Sequence, residues 1–274
     1  MKEKIVFLGL IGKDVSKSDS EKMHTFILSR LGYGCKYTRV SVDKDGFLEQ
    51  AKTLLAETDG FNVTIPYKVD VMKLLNGVAG DAETFGAVNT VVTKTKIGYN
   101  TDGVGFMQML KAAGVSVDGT KVLVLGAGGA GRSSAAALKN AGATVYLFQR
   151  RKDALKAVCE ELGVLACEDA ENFDGEIIVN ATGVGMHDTE GVSPVTENAF
   201  QDKECAVDLI YVPREIEFLR LAKEQVVKTL NVEAMLFYQA YYADCLYLER
   251  QANEKEAEQL YAQYIENQTT NGVK

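Results

Sequence analysis

The stretch VLVLGAGGAG, residues 122–131, decides the fold of this 274-residue chain. Four apolar residues run directly into the pattern Gly-x-Gly-x-x-Gly, and the small residues Ser133 to Ala137 follow it. In a strand, turn and helix of this kind, the first glycine permits the turn and the second lets the backbone approach a pyrophosphate. The third lets the helix pack closely on the strand. The stretch therefore predicts a dinucleotide-binding unit, with a simple packing turn as the alternative.

Short apolar runs and helical stretches alternate on either side of this turn, which is typical of parallel strands joined by helices. The predicted strands are Lys121–Leu125, Thr144–Phe148, Glu176–Asn180, Cys205–Leu209 and Val226–Leu230. The predicted helices include Asp102–Ala113, Gly131–Ala141 and Glu215–Glu224. Five strands at this spacing predict a doubly wound sheet of the Rossmann type over residues 103–231.

The end of the second strand of this unit indicates which dinucleotide binds. NAD-binding units place an acidic residue about 20 positions after the glycines, where it binds the ribose hydroxyls. Here the strand ends in Gln149, Arg150, Arg151 and Lys152, and guanidinium groups suit the extra phosphate of NADP. The alternative is a solvated basic helix start. Asp153, one residue later, leaves NAD as a weaker possibility.

The N-terminal hundred residues show the same alternation of strand and helix patterns. The predicted strands are Ile5–Ile11, Lys36–Val42, Gly60–Ile65 and Val88–Thr93, and the predicted helices are Ser20–Leu31, Phe47–Glu57 and Pro66–Leu75. A parallel arrangement is the economical interpretation, and the chain after Asn231 reads as helical to its end. We therefore predict an α/β domain of residues 1–102, completed by C-terminal helices in 232–274.

Composition excludes several classes of protein. Thirty basic against 38 acidic side chains give a net charge of −8, which argues against nucleic acid or an anionic membrane as a partner. No run of about 18 apolar residues occurs, and five scattered cysteines without a C-x-x-C pair indicate a reducing compartment and no metal site. A cytoplasmic protein follows as the expectation, as either a monomer or a homodimer.

Polar residues gather where predicted strands end, which is where α/β sheets build ligand sites. Asn62, Thr64 and Lys68 stand at the carboxyl end of one buried strand, Asn89 lies in a second cluster at 86–90, and Asp102 opens a helix. Each has a plain alternative, as a turn former, an exposed lysine or a helix cap. The two histidines, His24 and His187, stand in no pattern that would pair them with a carboxylate or a metal, so they are predicted to be structural.

These residues belong to a series of motifs. With these motifs in this order along the chain, the sequence resembles the shikimate dehydrogenase family over its whole length. The motifs are SDS at 18–20, NVTIPYK at 62–68, GAVNT at 86–90, NTDG at 100–103, GAGGAGR at 126–132, NAT at 180–182, DLIY at 208–211 and QA at 239–240.

The resemblance implies reversible, NADPH-dependent reduction of 3-dehydroshikimate to shikimate. It assigns proton transfer to Lys68 and Asp102, which suits the need of carbonyl reduction for a general acid. It implies that the small-molecule substrate is bound by Ser18, Ser20, Asn62, Thr64, Asn89, Tyr211 and Gln239. It implies that the cofactor is bound by Gly126, Ala127, Gly128, Gly129, Ala130, Gly131, Gln149, Arg150, Arg151, Lys152, Thr182 and Leu209.

Three departures from the family pattern bear on the substrate. Lys17 and Glu21 flank the serine motif where relatives carry histidine and proline, residues 231–236 contain no glycine, and Gly183 replaces a serine. They leave quinate, or another hydroxylated ring carboxylate, as the alternative substrate. A sensor that binds nucleotide and metabolite without turnover is the alternative from another class, and the presence of both Lys68 and Asp102 argues against it.

Overall fold

The computed structural model describes residues 4–211 and 216–271, with the backbone alone at Asp153 and His187. The chain divides into two compact units, Met1–Gly105 with Leu236–Lys274, and Phe106–Met235. The strands are β1 Lys4–Gly12, β2 Tyr33–Ser41, β3 Gly60–Val63, β4 Gly77–Val78, β5 Thr90–Val92, β6 Ile97–Tyr99, β7 Lys121–Leu125, β8 Thr144–Phe148, β9 Leu165–Ala166, β10 Ile177–Asn180, β11 Cys205–Asp208 and β12 Lys228–Asn231. The α-helices are α1 Ser20–Arg30, α2 Phe47–Glu57, α3 Asp81–Phe85, α4 Asp102–Ala112, α5 Gly129–Asn140, α6 Lys152–Leu162, α7 Glu217–Glu224, α8 Glu233–Tyr247 and α9 Glu254–Asn271. Short 3-10 helices cover Asp70–Leu74, His187–Thr189 and Glu197–Phe200.

The second unit contains the sheet that the glycine-rich turn predicts. Its strand order is β12-β11-β10-β7-β8-β9, and every pairing in it is parallel. The chain enters at the centre on β7, moves outward through β8 and β9, and then returns to build the other half from β10. This is the doubly wound order, so the prediction of a Rossmann-type unit is confirmed. The reversal of direction lies between β7 and β10, whose carboxyl ends open the crevice where such sheets bind ligands.

The sheet of the first unit is mixed, so the expectation that its strands are all parallel is wrong. Its order is β2-β1-β3-β5-β6-β4, in which β3 pairs antiparallel with β5, and β5 pairs antiparallel with β6. The short connection from Val92 to Ile97 cannot make the long crossover that a parallel pair requires, and it instead turns through Lys96 at φ 54°. The short strands β4 and β6 were not predicted.

The predicted helix Pro66–Leu75 is also wrong over its first half. The Tyr67 amide donates to the Thr64 carbonyl over 3.0 Å and closes a turn, and the 3-10 helix begins only at Asp70. The Tyr67 ring stacks on Phe47 at 4.2 Å between centroids, and its hydroxyl donates to the Val42 carbonyl over 2.6 Å. Because the Tyr67 side chain is buried, the turn is held against the core. Lys68 is the first residue after this turn.

The C-terminal helices complete the core of the first unit. Residues Phe237, Tyr238 and Tyr241 on α8 are buried, and Phe26 on α1 meets Tyr264 on α9 with ring centroids 5.3 Å apart. All five cysteines are free thiols. Across residues 4–211 and 216–271, no helix is both long enough and apolar enough to cross a membrane.

Candidate active site

A lysine and a carboxylate form a partly buried ion pair in the first unit. Lys68 follows the turn after β3, and Asp102 is the first residue of α4. The Lys68 Nζ donates to Asp102 Oδ2 over 2.5 Å, with 23% and 12% of the two side chains exposed. A partly buried ammonium with one fixed carboxylate partner is suited to delivering a proton to a bound ligand.

Asn89 connects this pair to the surrounding polar groups. Its Nδ2 donates to Asp102 Oδ1 over 2.8 Å and to the Thr101 hydroxyl over 3.1 Å. Its Oδ1 accepts the Thr90 hydroxyl over 2.8 Å and the Thr101 amide over 2.9 Å. The other carboxylate oxygen of Asp102 is thereby occupied, and the carboxylate is held in one orientation towards Lys68.

The same network reaches Asn62 and Gln239. The Asn62 Nδ2 donates to the Asn89 carbonyl and to the Thr90 hydroxyl, both over 3.1 Å. The Gln239 Oε1 on α8 accepts the Thr101 hydroxyl over 3.3 Å, and its Nε2 donates to the Leu236 carbonyl over 3.0 Å. The Asn62 Oδ1 is buried and has no partner among residues 4–211 and 216–271, so it is available to accept a hydrogen bond from a hydroxylated ligand.

Two residues of this network were not assigned a role from the sequence, although both lie in motifs that were singled out. Thr90 and Thr101 use their hydroxyls to join Asn62, Asn89 and Gln239. Their position next to Asn89 and Asp102 in those motifs was the available signal.

The serine motif forms a hydroxyl pair at the start of α1. The Ser18 Oγ lies 3.0 Å from the Ser20 Oγ and accepts the Ser20 amide over 3.2 Å. Asp19, rather than either serine, is the N-cap residue, and no side chain caps the helix. The charge introduced by Glu21 is balanced by Arg39 at 3.3 Å. The pair has no direct hydrogen bond to the Asn89 network within the described part of the chain, and neither has the side chain of Thr64.

The glycines of the glycine-rich turn in the second unit fall into two groups. Gly126 adopts φ +98°, and a Cβ at Gly131 would stand 2.0 Å from the Gly126 carbonyl oxygen. Those two positions require glycine for the turn and for the close packing of α5. A Cβ at Gly128 or Gly129 would meet no atom within 4 Å, so this side of the turn, with Ala127 and Ala130 between the glycines, leaves space for a ligand at the helix start.

The basic segment after β8 is exposed. Arg150, Arg151 and Lys152 are exposed, and Arg151 is the N-cap residue of α6, a helix for which no bounds were predicted. A basic helix start is also a place where a phosphate can be bound. Within the described residues, neither Arg150 nor Arg151 has an acidic partner, whereas Arg132 in the glycine motif is paired with Glu161. Gln149 donates to the Arg151 carbonyl over 3.1 Å.

A buried hydrogen-bond chain shapes the loops after β10 and β11. The Thr182 hydroxyl donates to Asn180 Oδ1 over 2.6 Å, and the Asn180 amide donates to Asp208 Oδ2 over 2.8 Å. Burial raises the pKa of Asp208 to about 6, although the hydrogen bonds from Asn180 and Ile210 act to lower it. This chain fixes the backbone that carries Thr182 and Leu209, and Tyr211 follows in the same loop.

Two departures from the family pattern have a simple structural outcome. The turn without glycine before α8 is closed by Asn231, whose Oδ1 accepts the Glu233 amide over 3.1 Å. A Cβ at Gly183 would have only the Met186 methyl within 4 Å, at 3.5 Å. A serine at that position therefore meets no obstacle, and nothing in the structure explains the glycine.

The interpretation of His24 as a histidine without a carboxylate partner is wrong. Its Nδ1 lies 2.7 Å from Asp244 Oδ1, and both side chains are fully buried. The partners are 220 residues apart, so no local sequence pattern could show the pair. The side chain of His187 lies outside the described part of the structure.

Comparison with known proteins identifies the family of the chain. Residues 10–91 match the family model of the shikimate dehydrogenase substrate binding domain, and residues 99–207 match that of the alanine dehydrogenase/PNT C-terminal domain. A shikimate dehydrogenase (NADP(+)) from Caldanaerobacter subterraneus subsp. tengcongensis is 38% identical over 86% of this chain and 89% of its own length.

Solved structures give the same result. The chain is 33% identical to a shikimate 5-dehydrogenase from Thermus thermophilus in complex with NADP(H) and shikimate, with a TM-score of 0.86 over 94% of this chain and 99% of that one. A shikimate 5-dehydrogenase from Listeria monocytogenes in complex with shikimate and NAD is 28% identical, with a TM-score of 0.80 over 94% and 96% of the two chains. On the sequence identity and coverage together, the chain belongs to the shikimate dehydrogenase family.

Proposed function

We propose that this protein catalyses the reversible, NADP-dependent reduction of 3-dehydroshikimate to shikimate. The observation that carries the proposal is the Lys68–Asp102 pair, fixed by Asn89 within a network of amides and hydroxyls. A sensor without turnover needs no such proton-transfer pair. We assign substrate binding to residues 1–102 with 232–274, and cofactor binding to residues 103–231.

The second unit fits a phosphorylated dinucleotide, which supplies the hydride when it is bound. The open side of the glycine-rich turn, Gly128 and Gly129, can receive the pyrophosphate at the start of α5. Arg150 and Arg151 have no acidic partner in the described residues, so their guanidinium groups are available to the extra phosphate of NADP. Thr182, Leu209 and the remaining residues of the turn, together with Gln149 and Lys152, would complete the contacts.

In the first unit, neutral donors and acceptors would hold the substrate, a hydroxylated ring carboxylate that we call the ring acid. The Ser18 and Ser20 hydroxyls are suited to the carboxylate, because they bind an anion without adding a cation near Lys68. The unsatisfied Asn62 Oδ1 can accept from a ring hydroxyl, and Thr64, Asn89 and Gln239 would bind the others. Tyr211, which lies in the second unit, is proposed as a further substrate contact.

Lys68 would supply the proton of the reaction. As hydride reaches the carbonyl carbon, the oxygen becomes negative and takes a proton from the Lys68 ammonium, which leaves an alcohol and a neutral amine. Asp102 keeps the ammonium in place before the transfer and holds the lysine there while water returns the proton. In the direction of oxidation the neutral amine accepts the hydroxyl proton.

The experiment that tests the function is a steady-state comparison of shikimate and quinate, each with NADP and with NAD. We expect the highest kcat/KM for shikimate with NADP. Quinate is the second candidate because of Lys17 and Glu21 beside the serine pair, and a higher kcat/KM for quinate would select it. The absence of any change in nicotinamide absorbance with all four combinations would exclude a dehydrogenase of this kind.

The serine pair gives a further prediction. Replacing Ser18 or Ser20 with alanine should raise KM for shikimate by roughly 10-fold or more, since a hydrogen bond to a charged group is worth about 1.5–3 kcal/mol. The KM for NADP should stay unchanged. Ser16→Ala is the matched control, because the Ser16 hydroxyl is exposed and is bound to Asp14 at 2.6 Å. Equal KM values in the three variants would remove the serines from the site.

The compartment and the oligomeric state of the enzyme are also proposed. The free thiols suit a reducing compartment, and the net charge of −8 suits a small-molecule enzyme rather than a binder of nucleic acid or of an anionic membrane. We propose a cytoplasmic protein that works as a monomer or a homodimer.

A further inference from the structure

A second cluster of titratable side chains lies in the core of the first unit, apart from Lys68. His24 on α1 and Asp244 on α8 form its centre, with 2.7 Å between Nδ1 and Oδ1 and no exposed surface on either side chain. The His24 ring stacks on Tyr37 at 5.6 Å and lies 6.3 Å from the ring of Tyr247. The proposed mechanism uses none of these four residues.

The cluster is unfavourable as a purely structural device. The His24 Nε2 and the Asp244 Oδ2 are buried without a hydrogen-bond partner in the described residues. Unsatisfied buried polar atoms cost stability, and packed apolar side chains of similar volume are often as stable as a buried ion pair or more so. Buried polar atoms without partners are expected at functional sites, where stability is given up for function.

The elements that the cluster joins are those that carry the proposed substrate groups. His24 stands one helical turn after Ser20 on α1, on the same face of the helix. Asp244 stands on α8, which also carries Gln239. Tyr247 packs on β3 at Gly60, where a Cβ would be 2.2 Å from its ring, and Asn62 lies two residues further along that strand.

The two tyrosines extend the cluster towards the site. Burial raises the pKa of the Tyr37 phenol, and the Ser20 hydroxyl lies close enough to oppose that rise. Burial likewise raises the pKa of Tyr247 well above its usual value, and the Thr90 hydroxyl acts in the opposite direction. Ser20 and Thr90 are therefore neighbours of the cluster at two places in the proposed site.

We infer that His24 and Asp244 are a positioning pair, which sets α1 against α8 and so sets the distance from the Ser18–Ser20 hydroxyls to Gln239 and Asn62. The inference rests on the proposed function, because it takes these groups as the two ends of the ring-acid site. It predicts that breaking the pair weakens binding of the ring acid specifically. The affinity for the cofactor and the rate of the proton-transfer step should not change.

The test compares three variants of the full chain with the parent. His24→Leu combined with Asp244→Asn removes the pair without leaving a buried charge. His24→Asn keeps an amide donor near the position of Nδ1. Phe26→Leu is the control for general loosening of α1, because Phe26 packs on the rings of Phe237 and Tyr264, lies under the Arg30 guanidinium, and has no part in the His24–Asp244 pair. The readouts are the calorimetric Kd for shikimate, kcat, the KM for NADP and the thermal midpoint.

We expect the double variant to raise the Kd for shikimate about tenfold or more, with kcat and the KM for NADP within about twofold of the parent and no fall in the thermal midpoint. His24→Asn should restore most of the affinity. An unchanged Kd in the double variant, an equal loss in Phe26→Leu, or no rescue by His24→Asn would each overturn the inference. A parent chain that binds shikimate but does not turn it over would count against the proposed function and leave this binding test valid.

Discussion

Replacing Lys68 with alanine should lower kcat for shikimate oxidation by about 100-fold or more, because the loss of general acid–base help typically costs that much. Lys68 holds its ammonium 2.5 Å from Asp102, and in the proposed site no other group of the network carries a positive charge. Cofactor binding should be unaffected, since the glycine-rich turn and the basic segment belong to the other compact unit. Steady-state rates and fluorescence titration of NADPH measure the two effects separately.

Lys73→Ala is the matched control for this change. Lys73 lies five residues further along the chain and is exposed, and it forms an ion pair with Asp70 at 2.6 Å. A surface pair of this kind contributes little to stability, so the control should keep the parent rate. If Lys68→Ala turned over as fast as Lys73→Ala, Lys68 would have no part in proton transfer.

Replacing both Arg150 and Arg151 with glutamine should weaken the binding of NADP by about 100-fold or more, while the binding of NAD stays nearly unchanged. Each guanidinium is proposed to make charge-assisted hydrogen bonds to the extra phosphate, and each such bond is worth about 1.5–3 kcal/mol. NAD lacks that phosphate, so its affinity does not depend on the two cations. The ratio of kcat/KM for the two cofactors reports the effect directly.

Lys156→Gln provides the control on the same helix. Lys156 is exposed on α6 and lies 4.0 Å from Glu160, so its removal changes the charge of the helix without touching its first turn. Equal losses for NADP and NAD in the double arginine variant would contradict a phosphate clamp. They would favour the alternative, in which the basic residues are only a solvated helix start.

The parts of the fold that follow from local pattern could be predicted closely. The strand Lys121–Leu125 and the helix Phe47–Glu57 have the predicted bounds, because a run of buried apolar residues and an amphipathic repeat are each contained in one segment. The doubly wound arrangement of the second sheet also followed, since right-handed crossovers leave few ways to arrange alternating strands and helices.

The errors arose where a distant contact overrides the local pattern. Pro66 could begin a helix, but the burial of the Tyr67 ring against Phe47 holds that segment in a turn. The antiparallel pairing of β5 with β6 depends on the short connection from Val92 to Ile97, not on the composition of either strand. The His24–Asp244 pair joins residues 220 positions apart and leaves no mark on the local sequence.

The family motifs named three amide side chains of the hydrogen-bond network, but not the bonds that join them. The family motifs identified Asn62, Asn89 and Gln239, and the structure joins all three through the hydroxyls of Thr90 and Thr101. Hydrogen bonds of this kind depend on the relative placement of several strands and helices, which no single motif specifies.

The orientation of the Asn89 amide has a consequence for the path of protons. Its Nδ2 donates to one oxygen of Asp102, and the other oxygen is held by Lys68, so each carboxylate oxygen already has a donor. An amide can donate a hydrogen bond, but unlike a hydroxyl or an imidazole it does not relay a proton onward. In the proposed reaction the ammonium is therefore the inner end of the proton path. We therefore expect each proton that it gives up to return from the solvent side of Lys68, whose side chain is 23% exposed, and not through Asp102 and Asn89.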